Sequence, residues 1–208
     1  MTEKITVFVH SSIRVGTSVG NVYIDPFKMT EEPHDAAIVL VTHEHYDHFS
    51  PEDIRKVMKA DTVLVVPESM AEKAREEALV KQVETVAPGG KYTIAGLAIE
   101  TVASYNPNKP FHPKAAAWVG YIIDDGRRVY IMGDTDATEE AKKVRCDIVL
   151  VPVGGKYTMD AEEAAEFVNF IRPQIAIPVH YGTVAGGADA GELFASKVDA
   201  GITVDRQL

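Results

Sequence analysis

The chain has 208 residues, enough for one domain with a sizeable core, and its 46 % hydrophobic and 25 % charged residues are typical of a globular protein. Its formal net charge of −10 disfavours general binding to nucleic acid or to an anionic membrane, so any anionic ligand would need a local positive site such as a metal ion. The single cysteine excludes an internal disulfide and a cysteine-built zinc site.

The first half of the chain predicts a strand-rich meander followed by strands that alternate with helices. Apolar and β-branched runs predict strands at residues 5–9, 13–15, 22–24, 36–41 and 62–66. Ser50 and Pro51 predict a helix start, and this helix is expected to continue to about Ala60. A second helix is predicted from Pro67 to about Leu79.

The second half predicts two hairpins and then further strands and helices. The hairpins pair residues 91–94 with 97–102 and residues 118–123 with 128–132. Asp160 and Glu163 have the spacing of a capping box and predict the start of an apolar-faced helix. Shorter helices are predicted at residues 139–143 and 190–198, and strands at residues 147–153, 174–179 and 202–205. We therefore expect one α/β domain over residues 1–208.

Three of the seven histidines fall in one short loop that follows the predicted strand at residues 36–41. The loop has the sequence His43-Glu44-His45-Tyr46-Asp47-His48. In an extended segment side chains alternate, so His43, His45 and Asp47 would project to one side. Imidazole and carboxylate groups at this spacing are typical metal ligands, so the loop predicts a metal site rather than a chance cluster.

Further candidate ligands follow predicted strands or lie in a loop. Asp134 follows the strand at residues 128–132, His180 follows the strand at residues 174–179, and His112 lies in a loop with three prolines. Side chains at strand ends are where α/β proteins build sites. The set is large enough for two divalent ions, which at about 3.5–4 Å apart can hold a water and lower its pKa from 15.7 toward about 7.

The pattern His43-x-His45-x-Asp47-His48 resembles the signature of the metallo-β-lactamase superfamily. Residues 106–114, 133–136, 159–160 and 178–182 resemble its branch of small metal-dependent hydrolases, which is similar to L-ascorbate-phosphate lactonase. The resemblance implies an α/β four-layer αβ/βα sandwich, the metallo-β-lactamase fold, with the site at one edge. It also implies two divalent metal ions, for which we expect Zn²⁺ or Mn²⁺.

The resemblance also implies a role for each candidate ligand. It implies that the first ion is bound by His43, His45 and a third histidine and the second by Asp47, His48 and His180, with Asp134 bridging the two. His112 is expected to be the third histidine because no other histidine lies between His48 and Asp134; a solvated loop position is the alternative. Asp47 and Asp134 are the candidate catalytic residues, and either protonated Asp47 or a metal-bound water would protonate the leaving group.

Other residues match positions around the site. Asp25 and His10 are expected to support ligands rather than bind metal, although Asp25 also fits a turn-forming role before Pro26. The candidate substrate-binding residues are Asn106, Lys109, Lys114, Tyr157 and Tyr181. For Lys109 and Lys114, and for the nearby Lys156, the alternative is solvated surface.

The expected function is a metal-dependent hydrolase that uses a metal-bound hydroxide to cleave a small, anionic ester, lactone or phosphodiester. The alternatives are an iron-dependent redox enzyme of the same superfamily, an amidohydrolase barrel and a non-catalytic metal-binding protein. Such a barrel typically needs about 250 residues, and the diiron reductases of the superfamily usually carry a carboxylate where His45 stands.

The sequence also bounds the partners and the location. We expect a small-molecule substrate, no nucleic acid partner and no membrane span, and we leave a homo-oligomer open. The N-terminal residues lack a signal-peptide pattern, and no apolar run is long enough to span a bilayer, so a cytoplasmic protein is expected.

Overall fold

Two β-sheets face each other in the structure, a computed structural model that describes residues 4–77, 79 and 81–208. The first sheet contains β1 (Ile5–Val9), β2 (Ser12–Thr17), β3 (Gly20–Ile24), β4 (Ala36–Leu40), β5 (Met58–Pro67) and β6 (Gln82–Val86). The second contains β7 (Lys91–Ile94), β8 (Leu97–Ala103), β9 (Val119–Asp124), β10 (Arg128–Ile131), β11 (Ile148–Pro152), β12 (Ile175–Val179) and β13 (Thr203–Val204). The helices are α1 (Pro51–Val57), α2 (Ala71–Glu76), α3 (Glu139–Lys142), α4 (Ala161–Ile171) and α5 (Ala190–Lys197).

The two sheets are built on the same plan. In the first sheet, β1 to β3 pair antiparallel, and β3 to β6 pair parallel. In the second sheet, β7 to β10 pair antiparallel, and β10 to β13 pair parallel. The carboxyl ends of the parallel strands lie at one edge of each sheet, which is where α/β proteins carry ligands.

The hydrophobic core has three parts that separate four layers. Along β4, Ile38 and Leu40 face the core between the sheets, whereas Val39 and the following Val41 face α1 and α2. On the outer side of the second sheet, residues such as Val149 and Val151 pack against α4 and α5. This arrangement follows from the period of two in side-chain direction along a strand. The predicted αβ/βα sandwich is confirmed, and the barrel alternative is wrong.

The first helix begins as predicted but ends earlier. The side chain of Ser50 accepts a hydrogen bond from the Asp53 N–H, and Pro51 occupies the first turn. The predicted end at Ala60 is wrong, because Met58 is already extended and pairs with Ala36 of β4. Sheet pairing therefore overrides the local helical pattern after Val57.

Two further boundaries differ between prediction and structure. The helix predicted from Pro67 to Leu79 is a 3₁₀ turn at Glu68–Met70 followed by α2, and buried Leu79 lies outside it; residues 78 and 80 lie outside the described part of the chain. Strand β6 is an edge strand outside the predicted elements. It pairs only with β5 among the described strands, and its side chains alternate between an exposed and a partly buried face.

Direct hydrogen bonds join the two sheets beside the loop that carries the histidine motif. The Tyr121 hydroxyl of β9 donates to the Val41 carbonyl at 2.7 Å, and the Val119 N–H donates to the Thr42 carbonyl at 3.2 Å. The His180 N–H donates to the His10 carbonyl at 3.0 Å. The loop after β4 is thus held at the seam between the sheets.

Among the described helices, none combines the length and the apolar character that crossing a membrane requires.

Candidate metal centre

The loop after β4 is a tight turn rather than the extended segment assumed from side-chain alternation. The His45 carbonyl accepts hydrogen bonds from the N–H groups of His48 at 3.0 Å and Phe49 at 2.8 Å. The turn leads directly into the N-cap of α1. It buries His43, Asp47 and His48 and leaves His45 partly exposed.

Three imidazoles form the first cluster, which we call the three-histidine group. His43, His45 and His112 each offer a ring nitrogen within 4.8 Å of the other two. The His43 Nε2 lies 3.1 Å from the His45 Nδ1. Buried Trp118 packs against these rings, with centroid distances of 5.1 Å to His43 and 5.0 Å to His45. The structure thus brings together the residues expected to bind the first ion.

A second cluster, the mixed group, lies beside the first. Its members are Asp47, His48 and His180, whose ligand atoms lie within 4.8 Å of one another and of a nitrogen of His10. These are the residues expected to bind the second ion. His10, which was expected only to support ligands, thus lies at ligand distance from all three of these residues.

Asp134 lies between the two groups. Its Oδ1 is 3.2 Å from the His48 Nε2 of the mixed group. Its Oδ2 is 2.9 Å from the His180 Nε2 and 3.3 Å from the His112 Nε2. One carboxylate thus approaches both groups, as the expected bridging role requires.

Hydrogen bonds to the outer ring nitrogens orient three of the imidazoles. The Asp25 Oδ2 accepts from the His48 Nδ1 at 2.7 Å, and the Asn106 Oδ1 accepts from the His112 Nδ1 at 2.7 Å. The Thr42 hydroxyl donates to the Asp25 Oδ2 at 2.6 Å and accepts from the His43 Nδ1 at 2.9 Å. These oxygen partners favour a proton on the Nδ1 of each ring, and they turn the Nε2 side of each ring toward the cluster. Oxygen partners of this kind typically fix metal-binding histidines.

The site fits metal ions, because buried ligand atoms approach one another to 2.9–3.3 Å without the geometry of a hydrogen bond. Among the described residues these atoms include the Nε2 atoms of His48, His112 and His180 and the Oδ1 of Asp134. Buried polar groups are otherwise almost always satisfied. Imidazole nitrogens and carboxylate oxygens are the donors that Zn²⁺ and similar ions prefer. The donor set therefore suits divalent ions.

The charges within the cluster perturb its pKa values in opposite directions. Burial raises the pKa of Asp134, but the charges of His180 and His48 outweigh it and hold that pKa well below its usual range. Burial likewise opposes the rise in the pKa of His48, which lies well above its usual value because Asp134 and Asp25 flank the ring. Burial, reinforced by the charge of His48, holds the pKa of His43 well below its usual value. The protonation of each of these residues therefore depends on its burial and on the charges of its neighbours.

His10 and Asp47 form a pair at the edge of the mixed group. The His10 Nε2 donates to the Asp47 Oδ2 at 3.2 Å. Burial lowers the pKa of His10 to about 4, so the ring is neutral and can act as a donor near pH 7. Burial raises the pKa of Asp47, yet the hydrogen bond from His10 brings that pKa below its usual value. Asp47 is therefore a carboxylate suited to binding a cation.

Strained backbone and close packing hold the site. His10, Asp25 and His180 have φ angles of 56°, 46° and 61°, in the left-handed region that non-glycine residues rarely adopt. Gly154 packs against the His180 carbonyl so closely that a Cβ atom would collide with it. Gly133 has a φ of 65°, and a Cβ there would lie 3.1 Å from the Thr42 Cβ. These backbone conformations and close contacts fix the path of the chain at and beside the proposed ligands.

A cavity of about 390 Å³ opens over the metal centre. Its lining residues are His45, Tyr46, Asp47, Phe111, His112, Asp134, Tyr157 and Val184. Tyr157 is the one candidate substrate-binding residue in this lining.

The other candidate substrate-binding residues have other partners. The Lys109 ammonium donates to the Asp136 carboxylate and the Thr158 carbonyl, both at 2.7 Å, and the Lys114 ammonium pairs with Glu140 at 2.7 Å. The Tyr181 hydroxyl donates to the Leu208 carbonyl at 2.9 Å, and Asn106 holds His112. These four residues are not among those that line the cavity.

Several residues of the site were not predicted from the sequence. Thr42 links Asp25 to His43, and Trp118 packs on the three-histidine group. The cavity walls at Tyr46, Phe111 and Val184 were also missed. A sequence signal existed for two of them, because Tyr46 lies inside the histidine motif and Phe111 precedes His112.

Comparisons with known proteins find relatives that match most of the chain. A family model described as the beta-lactamase superfamily domain matches residues 4–180. A UPF0173 metal-dependent hydrolase of Thermoplasma acidophilum is 36 % identical over 180 residues, which cover 78 % of this chain and 76 % of that protein.

Two solved structures share the fold. A crystal structure from Parabacteroides distasonis superposes with a TM-score of 0.82 and 32 % identity, covering 98 % of this chain and 92 % of that one. Igni18, a metallo hydrolase of Ignicoccus hospitalis, superposes with a TM-score of 0.79 and 24 % identity, covering 99 % and 95 %. At this lower identity the likeness to Igni18 supports the fold alone.

Proposed function

This chain belongs to the metallo-β-lactamase superfamily, among its UPF0173 metal-dependent hydrolases, and on that premise we propose that it binds two divalent ions and cleaves a small ester, lactone or phosphodiester. The observation that carries the proposal is the convergence of unpartnered buried imidazole nitrogens and a carboxylate oxygen on one cluster. A buried cluster of this kind is costly unless it binds cations.

The residues divide the task of holding the ions. His43, His45 and His112 would hold the first ion, and Asp47, His48 and His180 the second, with Asp134 shared. We propose Zn²⁺ or Mn²⁺ for both sites, since imidazole with carboxylate suits these ions. When bound, such a pair supplies Lewis acidity toward a carbonyl or phosphoryl group and acidifies water.

The remaining residues keep the site in a fixed arrangement. Asp25, Thr42 and Asn106 hold the ring orientations of His48, His43 and His112. Trp118 packs against the rings of the three-histidine group and restricts their movement. Fixed orientation before substrate arrives is what lets a site act without reorganising during the reaction.

Metal removal and replacement test this proposal. The purified chain would be stripped with a chelator, reloaded with Zn²⁺ or Mn²⁺, and assayed with p-nitrophenyl butyrate, dihydrocoumarin and bis(p-nitrophenyl) phosphate. We expect turnover of at least one substrate that falls on stripping and returns on reloading. His112→Ala should lower kcat/KM by at least about 100-fold, because one ion loses a ligand.

His34→Ala is the matched control, since His34 lies in an exposed loop and its ring contacts the Met58 carbonyl outside the site. It should retain wild-type kcat/KM. Full turnover by the stripped protein, or no turnover of any substrate with either ion, would contradict the proposal. Activity restored by Fe²⁺ alone, together with oxygen consumption, would favour the redox alternative.

A further inference from the structure

The walls of the cavity are apolar, in contrast to its floor. The floor consists of the metal-ligand residues His45, Asp47, His112 and Asp134, and the walls of Tyr46, Phe111, Tyr157 and Val184. At about 390 Å³ the cavity is near the small end of ligand sites, which suits one small organic group rather than a polymer.

The aromatic walls remain open to solvent although apolar surface is better buried. Tyr46 is 68 % exposed and Phe111 is 37 % exposed, and they are two of the five large hydrophobic residues exposed among the described residues. Each ring packs against another aromatic ring. The Tyr46 ring meets the Phe27 ring edge-on with centroids 6.0 Å apart, and the Phe111 ring meets the Tyr157 ring edge-on with centroids 4.7 Å apart. Supported, exposed aromatic rings beside a reactive centre are typical of a surface that a ligand covers.

Cationic side chains are not part of these walls. Among the lining residues that the structure describes, none is Lys or Arg. Lys109 and Lys114 are paired with Asp136 and Glu140 elsewhere. Lys156 is exposed, with its ammonium 4.9 Å from the centre of the Tyr157 ring, and Tyr157 rather than Lys156 lines the cavity.

Carboxylates of the protein would neutralise most of the positive charge of the bound ions. Asp47 and Asp134 lie among the ligands, and the Asp25 carboxylate is hydrogen-bonded to one of them. An anionic group on the substrate would therefore find no side-chain cation in the walls and a metal charge already offset by carboxylates.

We infer that the substrate is a neutral carboxylic ester or lactone whose apolar group packs against Tyr46, Phe111, Tyr157 and Val184. This inference rests on the proposed hydrolase function and narrows its substrate class, replacing the expected anionic substrate. Hydrolysis consumes one water. Its oxygen bonds to the acyl carbon, the acyl C–O bond breaks, and one water proton goes to the departing alkoxide while the acid product releases the other to solvent.

A matched pair of esters tests the inference. p-Nitrophenyl butyrate and p-nitrophenyl hydrogen succinate have the same acyl length, but the second carries a terminal carboxylate. With the metal-loaded chain we expect kcat/KM for the butyrate ester to exceed that for the succinate ester by at least 10-fold. Phe111→Ala should lower kcat/KM for butyrate by about 10-fold through a higher KM, because apolar contact area is lost.

Two variants serve as controls. Phe170→Ala removes an aromatic ring that is 64 % exposed and lies outside the cavity, so it should leave kcat/KM unchanged. Lys156→Ala should leave both esters unchanged. Preference for the succinate ester, or a fall in its kcat/KM in Lys156→Ala, would overturn the inference while leaving the hydrolase proposal intact.

A binding measurement separates this inference from the proposed activity. The neutral ketone 1-(4-nitrophenyl)butan-1-one resembles the ester but cannot be hydrolysed, and saturation-transfer NMR can detect its binding to the metal-stripped chain. We expect a signal in the wild type that is lost in Phe111→Ala and kept in Phe170→Ala. If the metal-loaded chain turned over none of the three substrates named above, this binding pattern would still support the apolar cavity while the hydrolase proposal failed. Absence of binding to the wild type would overturn the inference.

Discussion

Asp25 shows how one buried carboxylate holds several parts of the site. Its Oδ1 accepts the Thr42 N–H at 2.8 Å, and its Oδ2 accepts the Thr42 hydroxyl and the His48 Nδ1. Asp25 thus fixes a ligand directly and, through the Thr42 hydroxyl, fixes His43 as well. Asp25 also has a left-handed backbone conformation, with a φ of 46°, directly before Pro26.

We predict that Asp25→Ala weakens metal binding by about 10- to 100-fold, the usual effect of losing a partner that orients a ligand histidine. The measurement is a calorimetric titration of the stripped chain with Zn²⁺. Asp35→Ala is the matched control, because Asp35 also accepts two side-chain hydrogen bonds, from Asn21 and Tyr23, away from the site. Equal affinities in the two variants would show that Asp25 has only a structural role.

At the residue scale, the sequence predicted which side chains lie at strand ends better than where loop side chains point. His180 comes directly after β12, and Asp134 comes three residues after the end of β10, so sheet geometry brings both to one edge. Lys109 lies in a loop, and its direction depends on Asp136 and Thr158, which are distant in sequence. A local pattern contains no information about such partners.

The start of α1 depends on another carboxylate with several partners. Asp53 accepts the N–H groups of Lys28 and Met29 at 2.8 and 2.9 Å, and it also accepts from Ser50 and Lys56. The helix is thereby joined to the loop that precedes β4. Burial raises the pKa of Asp53, but these hydrogen bonds, led by that from Lys56, bring the pKa below its usual value.

Asp53→Ala should lower the free energy of unfolding at pH 7 by about 1–3 kcal/mol, because two backbone N–H groups lose their partner. The folded pKa of Asp53 is lower than the unfolded value of about 3.9. The stabilisation is therefore complete above that unfolded value and is lost as the pH falls through the folded pKa. The gap between wild type and variant should narrow below about pH 4.

Urea unfolding of the stripped proteins at pH 7 and at pH 3 would measure both effects. Asp61→Ala is the control, since Asp61 is exposed and, within the described part of the chain, pairs with Lys59 alone; it should change stability by less than about 0.5 kcal/mol. A pH-independent loss in Asp53→Ala would show that the charge of the carboxylate does not matter.

At the element scale, hydrophobic patterns predicted most strands. Capping residues predicted the starts of α1 and α4. The capping box of Asp160 and Glu163 forms as expected, because its two hydrogen bonds are local. The errors concern elements decided by distant pairing. Residues 58–60 follow a helical pattern but belong to β5, where Met58 pairs with Ala36 of β4. The edge strand β6 buries too little apolar surface to give a clear signal.

At the scale of the whole molecule, the site exists only when both sheets are in place. His43, His45, Asp47 and His48 come from the loop after β4 of the first sheet, whereas His112, Asp134 and His180 come from the second. Each proposed ion would thus take ligands from both halves of the chain. The superfamily resemblance predicted this sandwich, but the sequence patterns alone indicated only an α/β domain.

The number of ions bound per chain tests the central claim most directly. The stripped chain would be dialysed to equilibrium against Zn²⁺ and its metal content measured by elemental analysis, beside His45→Ala and His180→Ala. We predict two ions per chain in the wild type and one in each variant, because each variant removes a ligand from one group only. Saturation of the wild type at a single ion would contradict the two-metal account.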